Sequence, residues 1–260
     1  MSTDERGSII YLEGVTVDFE GFKALRNLNF IVNYHELRVV IGPNGAGKTT
    51  LLDVISGKVK PATGRVIFGK DIELLSLREH EIATLGIGRK FQTPSVYGNL
   101  SVWDNLDLSI RRQSKGVFST LISALSSEET DRINAMLKTI GLQEKARTRA
   151  GALSHGEKQW LEIGMVLLQD PALLLVDEPV AGMSDRETEQ TGQLLTSLTD
   201  KHSIIVIEHD MEFVRQIART ITVLHEGTVL CEGSVEQIQS DPRVVEIYLG
   251  RQKKESHASA

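Results

Sequence analysis

The stretch Val39–Gly57, VVIGPNGAGKTTLLDVISG, reads as a strand, a glycine loop and a helix in immediate succession. The apolar run Leu37 to Ile41 stops at Gly42. After Lys48, Leu51, Leu52 and Ile55 recur at helical spacing, Gly57 closes the helix, and Pro61 follows in a turn-rich PATG segment. Between strand and helix, Gly42-Pro43-Asn44-Gly45-Ala46-Gly47-Lys48-Thr49 fits GxxxxGK[ST] in full, in the setting that motif requires. The glycines let the backbone curl so that successive N–H groups face an anion, and the helix N-terminus adds its dipole. Lys48 then reaches the outer phosphates, Thr49 is placed to ligate Mg²⁺, and Thr50 follows as the next residue of the cradle.

A second carboxylate-bearing element complements this loop. Leu173 to Val176 reads as a buried strand that ends in Asp177 and Glu178. In a parallel sheet such a strand end lies beside the phosphate loop. Asp177 is then expected to hold the metal through water, and Glu178, one residue further out, to orient or deprotonate an attacking water. A small-molecule kinase has no use for a base aimed at water.

The whole chain sets the limits. Its 260 residues, 40% apolar and 25% charged, suffice for one substantial core with an insertion. A formal net charge of −6 argues against nucleic acid as the main partner. The lone Cys231 excludes an internal disulfide and has no metal-site spacing around it, which fits a reducing compartment. No signal-peptide pattern opens the sequence and no run of about 18 apolar residues occurs, so the expectation is a chain neither secreted nor membrane-spanning.

Val15, Val17 and Phe19 alternate as a half-buried strand does, and strand signals return at Ile204 to Ile207, Ile221 to Leu224 and Val229 to Leu230. The expected core is a mostly parallel α/β sheet. From about Thr93 to Glu157 strand-like runs vanish, and Ile133, Met136, Leu137 and Ile140 share one helical face, so this part reads as a helical insertion. Within it Ser114 to Glu129 reads as a Ser-rich loop with one short helix, a further helix is expected over Lys158 to Leu168, and the terminal RQKKESHASA as a charged, small-residue tail.

At this point the chain resembles, over essentially its whole length, the ATP-binding subunits of ABC transporters. Besides the two nucleotide motifs, Leu153-Ser154-His155-Gly156-Glu157 looks like the signature LSGGQ, Gln92 in RKFQTP is similar to the Q-loop, and His209 in VIEHD is similar to the switch histidine. The resemblance implies a P-loop NTPase core with an N-terminal antiparallel β element. Residues 1–92 and 165–260 would form that core, with a short helical extension from about 234, and residues 93–164 the helical subdomain. It also implies that two ATPase subunits sandwich ATP and Mg²⁺ head to tail, with Ser154, His155, Gly156 and Glu157 serving the opposite subunit's nucleotide. His155 stands where glycine is usual, Glu157 where glutamine is usual. Glu178 and His209 would act with Lys48 in hydrolysis, and Gln92 would reach the metal and couple chemistry to transport. Phe19, 48 − 19 = 29 residues before Lys48, would stack on adenine, with Phe22 the alternative. Ala181-Gly182-Met183-Ser184 corresponds to the D-loop that crosses to the partner, with Ser184 in place of the usual aspartate.

Within the family, LSHGEKQWLEIGM and DEPVAGMSDRET look closest to the urea-type importer D subunit, in the branched-chain amino acid importer group. The resemblance therefore implies import of a small polar solute, urea first and branched-chain amino acids as the alternative. The implied partners are a second ATPase subunit, two transmembrane permease subunits and, indirectly, a substrate-binding protein, at the cytoplasmic face of the membrane. Val96, Tyr97, Leu100 and Trp103 are expected to divide between core and permease docking, and Trp160 to pack inside. Two rival readings, a nucleic-acid repair ATPase and a regulatory module that binds ATP without turnover, are disfavoured. The insertion carries no long coiled coil, and Lys48, Glu178 and His209 are all in place.

Overall fold

The computed structural model describes residues 7–90, 96–110 and 126–247. Two sheets face one another across the first apolar core. One is antiparallel, in the order β2-β1-β4-β5, built from β1 (Ser8–Phe19), β2 (Phe22–Asn33), β4 (Thr63–Phe68) and β5 (Ile72–Glu73). The other has six strands in the order β10-β9-β3-β8-β7-β6, namely β3 (Leu37–Ile41), β6 (Ile87–Lys90), β7 (Leu173–Asp177), β8 (Ser203–Ile207), β9 (Thr220–His225) and β10 (Thr228–Gly233). Strands β9, β3, β8, β7 and β6 pair in parallel, and β10 closes the edge as an antiparallel hairpin with β9. This is the P-loop NTPase architecture with an added antiparallel sheet.

Continuous apolar runs mark strands buried on both faces, and the side-chain alternation sends neighbours to opposite cores. Leu173 and Leu175 of β7, Ile205 and Ile207 of β8 and Val40 of β3 join the core that holds the antiparallel sheet and α1 (Lys48–Ile55). Leu174, Val176, Ile204, Val206, Val39 and Ile41 join a second core on the other face. There they meet α5 (His155–Leu167), α6 (Asp185–Leu198) and α7 (Met211–Ile217), through Ile163 and Leu167, Leu194 and Leu195, and Phe213 and Val214 respectively.

A third apolar cluster lies within the helical part. Val102 and Leu106 of α3 (Val102–Ser109), Ile133 and Leu137 of α4 (Ser127–Thr139), and Leu161 of α5 pack together with Leu142, Leu153 and Leu168. Helix α5 thus straddles two cores, with Trp160 against both. Residue 164, where the sequence reading ends the helical subdomain, lies inside this helix.

Several expectations need correction. The helix expected from Lys158 starts at His155, because Ser154 caps it and Glu157 closes a capping box that the apolar pattern does not reveal. Ser127 to Glu129, at the end of the stretch read as a loop with one short helix, form the first turn of α4 for the same reason, with Ser126 and Glu129 as the box. The rest of that stretch, residues 114–125, lies outside the described residues, as do residues 248–260 with the terminal tail. Strands β2, β4, β5 and β6 were not foreseen. Strand β1 pairs β2 through several register shifts, which blur a strict two-residue period, and β6 is short and ends in a buried lysine, Lys90.

Leu175→Ala removes a fully buried side chain from the middle of the six-stranded sheet. We expect it to lower the unfolding free energy by about 2–5 kcal/mol, read as a lower denaturant midpoint at unchanged slope.

Candidate functional site

Parallel pairing brings three strand ends level. Val40 of β3 is in register with Ile207 of β8, and Ile207 with Asp177 of β7. The chain therefore emerges at one edge of the sheet as the glycine loop after Ile41, as Glu178 after β7, and as Glu208 and His209 after β8. Strand β8 separates β3 from β7, so Asp177 is one strand further from the loop than adjacency would put it.

Two glycines of the loop have a steric reason to be glycine. Gly47 has φ of 100°, and a Cβ on it would sit 2.5 Å from the Ala24 carbonyl oxygen, while a Cβ on Gly42 would sit 2.2 Å from that of Leu224. The loop is thus folded tightly against β2 and β9. Gly47 also caps α1 without a side-chain hydrogen bond, in contrast to the serine caps of α3, α4, α5 and α6. No side-chain cap consumes the first-turn amides of α1, which suits them to an anion. Lys48 Nζ donates to the carbonyls of Gly42 at 2.7 Å and Pro43 at 3.2 Å, which holds the ammonium over the cradle.

A cleft of about 430 Å³ opens above this loop. It is lined by Asn44 to Thr50, Glu178, Phe19 and Phe22. The two phenylalanines face each other across a two-residue hairpin turn, Glu20-Gly21, whose φ values are both positive. Both rings are exposed, so the structure brings both aromatic candidates to the cleft mouth.

Asp177 is buried at 3% exposure, and its Oδ1 has no hydrogen-bond partner among the described residues. Burial, and then the adjacent Glu178, push its carboxyl above the ordinary range, against the pull of Arg89 and Lys90. An unpartnered buried carboxylate oxygen beside a phosphate cradle fits a divalent cation, with Thr49 at the start of α1 as the second oxygen donor. Among the described residues no cluster of three or more His, Cys, Asp or Glu has metal-ligating geometry. Gln92 lies outside the described residues. The strand that leads toward it, β6, is tied to α1 by Arg89, whose Nη1 lies 2.7 Å from Asp53 Oδ1 and donates to Ser56 Oγ at 2.8 Å.

Glu178 has φ of 46°, a left-handed conformation uncommon for a residue with a side chain, and its N–H donates to the Ile207 carbonyl at 3.0 Å. The backbone thereby aims the carboxylate into the cleft. His209 Nδ1 lies 3.5 Å from Glu178 Oε1, approaching from a neighbouring cleft that it lines with Gly182 and Met183. The turn that carries His209 is held by Glu208, which sequence reasoning missed. Its buried carboxylate accepts from the amides of His209 at 2.9 Å, Asp210 at 3.3 Å and Val180 at 3.4 Å. Burial raises its pKa and these amides oppose the rise.

The segment Ser154–Glu157 is at the N-terminus of α5 and does not line the cleft over the phosphate cradle. Glu157 turns back on its own helix: Oε2 accepts from the Ser154 amide at 3.0 Å, and Oε1 pairs with the Lys145 ammonium. Its negative charge is thus neutralised locally. His155 contacts Gln159 Nε2 through its own Nε2 at 3.3 Å and lies beside Gly182. Trp160 packs between two cores and donates through Nε1 to Thr191 Oγ1 at 2.9 Å. Of the residues expected to meet a permease, Tyr97 is exposed, while Val96 and Trp103 pack on the third cluster and Leu100 is half-buried.

Comparison with known proteins agrees with this geometry. A family model described as "ABC transporter" matches residues 25–181, and one described as "Branched-chain amino acid ATP-binding cassette transporter" matches residues 228–254. The chain is 37% identical to the high-affinity branched-chain amino acid transport ATP-binding protein LivG of Escherichia coli (strain K12), over 93% of this chain and 98% of that protein. Among solved structures it is similar to the ADP conformation of an ATP-binding cassette of an ABC transporter. There the TM-score is 0.83 and the identity 29%, covering 94% of this chain and 99% of that one. It is also similar to a dimeric post-hydrolysis cassette bound to ADP and Pi, with TM-score 0.73 and 26% identity over 87% and 98% of the respective chains.

Asp177→Asn should leave nucleotide binding without Mg²⁺ within about twofold and remove the tightening that Mg²⁺ confers, both measured by calorimetric titration. Because burial already disfavours the ionised carboxyl, the metal-free melting temperature should not fall.

Proposed function

The chain belongs to the ABC transporter ATP-binding family, within the branched-chain amino acid importer group, and from that premise we propose that its ATP hydrolysis drives the uptake of branched-chain amino acids. The observation that carries the catalytic reading is Glu178. Its carboxylate is held by a strained backbone over the cleft that the phosphate loop lines, and its Oε1 is 3.5 Å from His209 Nδ1.

In this reading the amides of Gly45, Gly47, Lys48 and Thr49 bind the phosphate chain, and the Lys48 ammonium moves from its loop carbonyls to the outer phosphate oxygens. Phe19, with Phe22 beside it, offers a face to the base. Thr49 and Asp177 would hold Mg²⁺, which when bound supplies positive charge against the phosphates. Gln92 would add a ligand from the segment after β6. Glu178 accepts the proton of the water that attacks, and His209 steadies that carboxylate and offers a hydrogen bond toward the terminal phosphate.

Ser154 and Gly156, on α5, do not line this chain's own cleft. They suit the nucleotide of a second ATPase subunit, which the dimeric relative bound to ADP and Pi supports. No helix among the described residues is long and apolar enough to cross a membrane, so the membrane path belongs to partner permeases. Exposed Tyr97 and Leu108 on the helical part suit contact with them at the cytoplasmic face, with a substrate-binding protein acting beyond the membrane.

A cassette of this kind touches no cargo. The branched-chain reading rests on the relatives that carry that name, and the urea reading on the likeness of LSHGEKQWLEIGM and DEPVAGMSDRET. In vesicles holding the whole importer, labelled leucine should accumulate with ATP inside and labelled urea should not. Accumulation of urea alone would reverse the assignment. Glu178→Gln should keep ATP affinity and lower steady hydrolysis by about 100-fold or more, measured by phosphate release. Unchanged turnover would remove Glu178 from its role.

A further inference from the structure

The N-termini of α5 and α6 converge on a single carboxylate. Ser184 caps α6, and Glu187 Oε2 accepts from the Ser184 amide at 3.0 Å and from its hydroxyl at 2.8 Å. The other oxygen, Oε1, accepts from the hydroxyl of Ser154 at 2.9 Å, across to the cap of α5. The same carboxylate lies over Gly156, where a Cβ would sit 2.6 Å from Oε1 and 2.7 Å from Cδ. An own-chain anion therefore covers both Ser154 and Gly156.

A hydroxyl has one proton to give. Ser154 gives it to Glu187 and accepts from the Glu157 amide at 3.2 Å, so nothing remains for a phosphate oxygen while that contact persists. The amide and hydroxyl of Ser184, with the Ser154 hydroxyl, hold the Glu187 carboxyl below its usual range, so it is charged at neutral pH. A carboxylate and a phosphate, both anionic, compete for the same serine and the same positive helix end.

We propose that Glu187 is an internal anion that holds the Ser154 end of α5 and is exchanged there for the outer phosphate of the opposite subunit's nucleotide when two ATPase subunits close. This rests on the head-to-tail reading above. The exchange is local. Further along the same interface Trp160 remains bonded to Thr191, and Thr191 Oγ1 donates to the Glu187 carbonyl at 2.8 Å, so the helix bodies stay together. Because Oε2 of the same carboxylate caps α6, releasing Oε1 frees the first turn of α6 to re-aim Ala181–Ser184. One nucleotide site thereby reports its occupancy to the segment that lines the cleft of His209.

The test is the MgATP dependence of hydrolysis by the assembled importer in vesicles, for the natural chain and for Glu187→Gln, Ser154→Ala and Ser184→Ala. Glutamine at this position still caps α6 but carries no charge. Glu187→Gln should lower KM for MgATP by about three- to tenfold, and Ser154→Ala should raise it. Ser184→Ala, which weakens the cap but leaves the charge, should not lower KM, whereas a purely structural role for Glu187 predicts that it behaves like Glu187→Gln. Should Glu187→Gln fail to fold, Glu187→Asp, too short to cap α6 and reach Ser154 together, carries the same expectation. An unchanged or raised KM in the Glu187 variant, with KM raised in Ser154→Ala, overturns the exchange alone. KM unmoved by Ser154→Ala overturns the head-to-tail reading and the exchange with it.

Discussion

The parallel hydrogen bonding that sets Val40, Ile207 and Asp177 in one register is the constraint from which the chemistry follows. Residues far apart in sequence, Lys48, Glu178 and His209, are brought within one edge of the sheet only because β3, β7 and β8 end level there. The register is fixed in turn by burial. Each of these strands sends alternate residues into two different cores, and a slip of one residue would exchange the two sets of side chains against shapes that do not match them. Packing of Leu173 to Val176 and Ile204 to Ile207 is therefore as much a part of the site as the loop is.

Helix ends carry most of the remaining chemistry, and the chain distinguishes them by their caps. Where a helix has only to begin, serine and a glutamate or aspartate three residues on satisfy its first amides from within, as at Ser101 with Asp104 and Ser126 with Glu129. At α1 the cap is Gly47, which offers no side chain, and the amides are left to a ligand. The caps of α5 and α6 fall between these cases. Both use serine boxes, and Glu187 shares its two oxygens between them, so two helices that open a functional surface are set by one ionised group.

Much of the site was legible in the letters. The phosphate loop and the Asp177–Glu178 strand end were proposed from residue types at fixed spacing, His209 from a family likeness, and the structure places Lys48, Glu178 and His209 at one edge of the sheet. What was hidden has a common cause: it depends on contacts between elements. Lys90 is fully buried, which no pattern in the sequence announces. Glu208 is one of two acids in VIEHD, with nothing to distinguish it there, yet its carboxylate builds the turn that carries His209. Ser184 and Glu187 close a capping box on α6, and nothing in the sequence says that this glutamate also reaches Ser154. That contact exists because Trp160 and Thr191 join the two helices side by side.

The departures of the signature segment from LSGGQ resolve by the same accounting of charge. A glutamate at the third helical residue would repel a phosphate if it faced outward, but Glu157 is bonded back to the Ser154 amide and paired with Lys145, which leaves little of its field at the helix end. His155 lies against Gly182 and Gln159, a position from which it stiffens the junction of α5 with the segment before α6. With Glu157 neutralised and His155 turned to the neighbour, the groups left at the tip of α5 are the Ser154 hydroxyl and the Gly156 backbone, which Glu187 covers. The negative charge that does press on that surface comes from Glu187 of the neighbouring helix, which holds Ser154 through Oε1 and caps α6 through Oε2.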